Sequence, residues 1–180
     1  MATIAMAFPG SAAALCERDV VTQTYREGRS AAVIGGSSGS SNRQFVVELP
    51  GRRTLVLTIP TEFDPMPNWI SPTVNALVRV LALPENWDSY GGRKVNAAFV
   101  AQALEVLSRS MPRNLTAPSV VPLGDGGIQL EWHRRQQDLE ITFSPDEPPQ
   151  YFYRNRATDE DQEGSPVNHR ELAQLLQNLA

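Results

Sequence analysis

The sequence predicts an α+β domain built from an N-terminal hairpin, two central helices, an antiparallel meander and a C-terminal helix. Three observations predict it. Two β-rich runs, "QFVVEL" and "TLVLTI", flank the turn-forming residues Pro50, Gly51, Arg52 and Arg53. Two segments in the middle of the chain repeat apolar residues at helical spacing. From Pro118 onward, short runs alternate apolar with polar residues.

Residues 1–42 read as a flexible arm and linker, ahead of one domain over 43–180. The arm has weak helical periodicity through Leu15, Val20, Val21 and Tyr25, and it ends in the polar, flexible "GGSSGSSN". The two hairpin runs are apolar on both faces, so helices are expected to cover at least one of them. Ser71 followed by Pro72 has the form of an N-cap and first helical residue; Val74, Leu77, Val78 and Leu81 then mark the buried stripe of a helix that stops before Pro84. A second helix is expected from Asn96 to about Met111, burying Phe99, Val100, Ala103, Leu104 and Leu107. The strands "SVVP", "IQLEWH", "LEITF" and "YFYR" follow, the first two joined by a turn at Gly124, Asp125, Gly126 and Gly127. Alternation places Ile128, Leu130, Trp132, Leu139, Ile141 and Phe143 on one face. Asp159, Glu160, Asp161 and Glu163 read as a solvated acidic loop, and Ser165 with Pro166 as the opening of a last helix carrying Leu172, Leu175, Leu176 and Leu179.

Composition narrows the function. The chain of 180 residues carries a formal net charge of −4, so nucleic acid and anionic membranes would repel it as a whole. Cys16 is the single cysteine, which forbids an internal disulfide, and with His133 and His169 it leaves too few soft ligands for structural zinc. No metal or cofactor is expected. The first residues lack a positive n-region, and no apolar run reaches the roughly 18 residues of a spanning helix, so a cytoplasmic protein is the expectation.

Four groups of residues are candidates for chemistry. "AAVIGGSSGSS" resembles the nucleotide turn of short-chain dehydrogenases, and Tyr90 with Lys94 matches their Tyr-x-x-x-Lys spacing. The context is wrong, because the glycines lead to a strand rather than a helix and Gly91 and Gly92 interrupt the Tyr–Lys segment. Secondly, a hairpin of "IQLEWH" with "LEITF" sets Glu131 opposite Glu140, on the face away from Trp132, and His133 opposite Asp138. Facing carboxylates need a cation, a metal or a shared proton between them. A pair about 5 Å apart is the retaining-glycosidase arrangement, so a hydrolase using Glu131 and Glu140, with Asp88 and Tyr90 positioning substrate, is one reading. A salt bridge from Arg154 or Lys94 is the structural alternative. Thirdly, in "NWDSYGG" the residues Asn86 and Asp88 suit turn hydrogen bonds, Gly91 and Gly92 suit positive φ, and Trp87 and Tyr90 are able to pack on the helices. A partner-binding version would use Trp87, Asp88, Tyr90, Arg93 and Lys94 as an aromatic anchor with a polar rim. Finally, Arg52 with Arg53, Arg134 with Arg135, and Arg154 with Arg156 would form a phosphate-binding patch if they gathered on one edge.

The loop and the strand together carry a resemblance. "LPENWDSYGG" followed by a helix and "PSVVPLGDGGIQLEWH" resembles a group of small uncharacterised bacterial proteins, in which an Asn-Trp-Asp-x-Tyr-Gly loop precedes a Gly-Gly-x-Gln-Leu-Glu-Trp strand. The likeness covers roughly residues 81–143. It implies a bacterial cytosolic α+β protein and singles out Asn86, Trp87, Asp88, Tyr90, Gln129, Glu131 and Trp132; it implies no catalytic activity. With no complete catalytic set in the chain, the expectation is a non-catalytic factor of antitoxin, immunity or accessory type that acts through another protein. The hydrolase and the nucleic-acid readings are the alternatives.

Overall fold

The computed structural model describes residues 67–180. The expected arm and N-terminal hairpin, including Arg52 and Arg53, lie outside the described residues. Within them the fold is α+β, with three helices and a five-stranded antiparallel sheet.

Helix α1 spans Ile70–Leu81. It begins ahead of the expected Ser71 cap, because Trp69 and Ile70 are fully buried and fix the first turn in the core. Pro72 thus sits in that first turn rather than at its start, where its missing N–H still costs no helical hydrogen bond. The end is as expected: the N–H of Ala82 reaches the Val78 carbonyl ahead of Pro84. Helix α2, Ala97–Ser110, has Asn96 as its N-cap, whose side-chain oxygen accepts from the Ala98 N–H at 2.9 Å. It buries Val100, Ala103, Leu104 and Leu107, with Phe99 partly covered.

The sheet is a simple meander. Its strands are β1 (Ser119–Pro122), β2 (Ile128–Arg134), β3 (Gln137–Phe143), β4 (Gln150–Asn155) and β5 (Glu160–Gly164), each hydrogen-bonded to the next. Ile128, Leu130, Trp132, Leu139, Ile141, Phe143, Tyr151 and Tyr153 form its buried face. The β2–β3 pair has the expected register, with Glu131 opposite Glu140 and His133 opposite Asp138. Arg135 and Gln136 close that hairpin, both at positive φ of 51° and 62°, the left-handed pair that matches strand twist in a two-residue turn.

The sequence reading needs two corrections here. The acidic segment is an edge strand rather than a loop: residues 160–164 pair with β4, and Arg154 lies in register opposite Asp161. Cross-strand pairing with β4 carried the segment into the sheet against its poor strand composition. The last helix, α3 (His169–Leu179), starts later than Ser165 and Pro166 suggest. Its N-cap is Asn168, whose side-chain oxygen accepts from the Glu171 N–H while its side-chain amide donates to the Glu171 carboxylate, a reciprocal pair that fixes the start. Leu172, Leu175, Leu176 and Leu179 are buried as expected, and α3 packs on α2 and the sheet. No helix among the described residues is long and apolar enough to cross a membrane.

Candidate functional site

The loop over residues 84–96 is a hydrogen-bonded structure in its own right. The Asn86 N–H reaches the Gly92 carbonyl at 2.7 Å, and its side-chain oxygen accepts from Gly91 at 2.7 Å. The Asp88 Oδ1 accepts from both Tyr90 and Gly92 at 2.8 Å, and these backbone N–H groups hold its carboxyl below the usual carboxylate range. Asn86, Ser89 and Gly91 all take positive φ, at 60°, 66° and 91°. A side chain at Gly92 would meet the Asp88 carboxylate at 2.8 Å and displace it from the two N–H groups it accepts from.

This loop stands on the turn between β1 and β2. Arg93 donates its N–H to the Gly124 carbonyl at 2.8 Å and Asn96 to the Gly126 carbonyl at 2.9 Å. Gly126, at φ +89°, approaches so closely that an added Cβ would lie 2.9 Å from the Lys94 carbonyl oxygen. The two motifs singled out in the sequence are therefore one assembly. Trp87 is half-buried, but Tyr90 does not pack back on the helices as expected. It is 94% exposed, and with Val167 it is one of two large hydrophobic side chains left open among the described residues. Three positive-φ residues and the inward hydrogen bonds of Asn86 and Asp88 fix the backbone so that Tyr90 points outward.

The outer sheet face holds a second cluster. Across it, in register, run Ser119, Glu131, Glu140, Phe152 and Glu163. The two facing glutamates are engaged separately: Glu140 accepts from the Gln129 amide at 2.8 Å, and Glu131 lies 3.4 Å from His133 Nε2. The expected salt bridge to Arg154 is absent, because that guanidinium turns to Asp159 and Asp161. Asp138 is the centre of the cluster. It is buried and accepts from Arg156 through two bonds of 2.6 and 2.7 Å and faces His133 Nδ1 at 2.7 Å. Burial pushes the Asp138 carboxyl up, but the hydrogen bonds from Arg156 and His133 outweigh it and hold it below its ordinary value. Beside it lies a shallow depression of about 520 Å³, walled partly by Phe152 and Arg154.

The sites do not merge. Asp88 lies beside Gly124, whereas Glu131 is four residues up β2 from Gly127, roughly 13 Å at the usual strand rise. Asp88 and Tyr90 thus stand apart from the carboxylate pair they were expected to serve. Arg134, Arg135, Arg154 and Arg156 do share the far end of the sheet, where the Arg156 N–H bonds the Gln136 carbonyl. There Arg154 and Arg156 are tied to aspartates, and Arg134 reaches the Thr116 hydroxyl at 3.4 Å. Among the described residues no group of three or more His, Cys, Asp or Glu is arranged to hold a metal.

No family model, curated protein or solved structure matches the chain. The site therefore has to be read from its own geometry.

The two histidines oppose each other in their effect on stability. The hydrogen bond to Asp138 raises the His133 pKa above its ordinary 6.5, so its contribution is present below that value and is lost as pH climbs through the raised one. His169, 3.3 Å from the Ser110 hydroxyl at the α2–α3 junction, is lowered first by burial and then by Arg109. Its contribution is present above pH 6.5 and is lost as pH falls through the lowered value. Denaturation series across pH 5–8 are expected to show His133→Gln losing stability mainly on the acid side and His169→Gln losing the acid-side decline of the parent. Identical pH profiles for both variants would contradict these assignments.

Proposed function

We propose that the protein is a non-catalytic binding factor, of antitoxin, immunity or accessory type, that engages a partner protein through Trp87, Asp88, Tyr90, Arg93 and Lys94. The observation that carries this reading is a fully exposed tyrosine on a backbone locked by its own hydrogen bonds. A locked loop loses little entropy when it is bound, and a rigid aromatic with few rotamers is the side chain that most often dominates protein interfaces. Exposing such a ring has a hydrophobic cost that a partner's pocket would recover. The outer-face glutamates supply less support for a hydrolase, since each already has its own polar neighbour and the proposed positioning residues lie elsewhere.

The test is affinity purification from the source cell with the full chain, comparing the parent with Tyr90→Ala. A stoichiometric partner that the variant binds at least about tenfold more weakly, on the order of 1.4 kcal/mol, is the expected result. The variant should melt as the parent does, because Tyr90 makes no packing contact that folding needs. Partner capture unchanged by Tyr90→Ala would remove the loop from the interface.

A further inference from the structure

We infer that the surface docking on this loop is an acidic segment of a protein. The inference rests on the loop being the interface, and it adds the partner's chemistry. The loop and its supporting turn contain three carboxylates, and each is engaged by N–H or O–H donors of the assembly. Glu85 accepts from the Lys94 N–H at 3.1 Å, Asp88 from Tyr90 and Gly92, and Asp125 from the Gly127 N–H at 2.8 Å and the Ser144 hydroxyl at 2.6 Å. The two cations are turned outward. Arg93 and Lys94 are exposed, and among the described residues their side chains form no hydrogen bond or ion pair; only their backbone N–H groups are used.

The three carboxylates thus have donors within the assembly, whereas the two exposed cations that follow Tyr90 in the chain have no acceptor among the described residues. A partner that covers the tyrosine must also take water from both cations, and desolvated cations without acceptors oppose binding strongly. Carboxylates supply those acceptors, and they also speed encounter through attraction at long range. A basic partner would bury the two cations against like charge, and a neutral one would offer them no counter-charge. Nucleic acid offers anions as well, but single-strand grooves use rows of aromatic platforms, and among the described residues Tyr90 is the one fully exposed ring. Arg154 and Arg156 sit at the other end of the sheet and are already paired with aspartates, so they extend no groove from this loop.

The experiment uses the full chain in complex with its captured partner and a zero-length carbodiimide, which joins an amine only to a carboxylate in direct contact. Mass spectrometry of the products is expected to find Lys94 joined to an Asp or Glu of another protein. Arg93→Glu with Lys94→Glu should weaken capture at least tenfold, whereas Arg93→Lys with Lys94→Arg should leave it within about twofold. Raising salt should weaken the parent complex and leave the charge-reversed variant little changed. Capture undiminished by charge reversal, or a complex in which Lys94 joins no partner carboxylate, would overturn the inference. If Tyr90→Ala abolishes capture and charge reversal does not, the acidic partner falls and the loop interface stands. If neither substitution matters, both fall. Nuclease-sensitive capture with no protein bound would assign the patch to nucleic acid instead.

Discussion

Gly127→Ala is expected to destabilise the domain by roughly 3 kcal/mol, the upper part of the range for forced overpacking. A Cβ at that position would lie 2.3 Å from the Phe143 carbonyl oxygen and 2.9 Å from Asp125 Oδ1. The first obstacle is backbone, so no rotamer change relieves it. Relief requires β2 to move away from β3 at Ile128 and Phe143, the first pair of their ladder, and both residues are fully buried. It also breaks the Asp125 bond to the Gly127 N–H and loosens the turn on which Arg93 and Asn96 rest. Gly91→Ala is the control. Gly91 has φ +91° but nothing within 4 Å of an added Cβ, so only the left-handed strain of about 1 kcal/mol applies. Equal denaturant midpoints for the two variants would contradict the close approach at Gly127.

Trp132→Ala is expected to cost about 3–5 kcal/mol, the range for deleting a large core aromatic. Trp132 is 2% exposed on the inner sheet face, and its indole N–H donates to the Thr116 carbonyl at 3.1 Å. The substitution removes the ring and leaves that carbonyl without its donor. Trp132→Phe should recover part of the loss, because it restores one of the two rings and forfeits the rest of the volume together with the hydrogen bond, the latter about 1 kcal/mol. Unfolding curves of the two variants check this. A small effect from Trp132→Ala would mean the ring is not part of the core.

The alternating pattern of Ile128, Leu130 and Trp132 against Leu139, Ile141 and Phe143 was legible because a strand's side chains switch faces at every residue, which fixes inner face and register together. The same logic placed His133 beside Asp138. It could not supply Arg156, which completes that cluster from beyond the end of β4, where no periodicity constrains the chain. The start of α3 was misread because Ser165-Pro166 and Asn168-x-x-Glu171 are both valid start signals, and only the reciprocal hydrogen bonds distinguish them. The strand over Glu160 to Glu163 is hidden for a different reason: it depends on β4, and local propensity carries no information about a neighbour. The loop's turn chemistry could be read from Asn86, Asp88 and the glycines. The direction of Tyr90 could not, since it follows from positive φ at Asn86, Ser89 and Gly91 and from docking on Gly124 and Gly126, contacts distant in sequence.

The most direct test of the account is a photo-cross-linker placed at position 90 of the full chain in the source cell, where a benzophenone side chain keeps the aromatic character of Tyr90. Thr158, exposed in the turn at the opposite end of the sheet, is the matched control position. The account predicts one discrete protein adduct from position 90 and none of that mass from position 158. No adduct at position 90, or the same adducts from both positions, would contradict a partner-binding role for the loop.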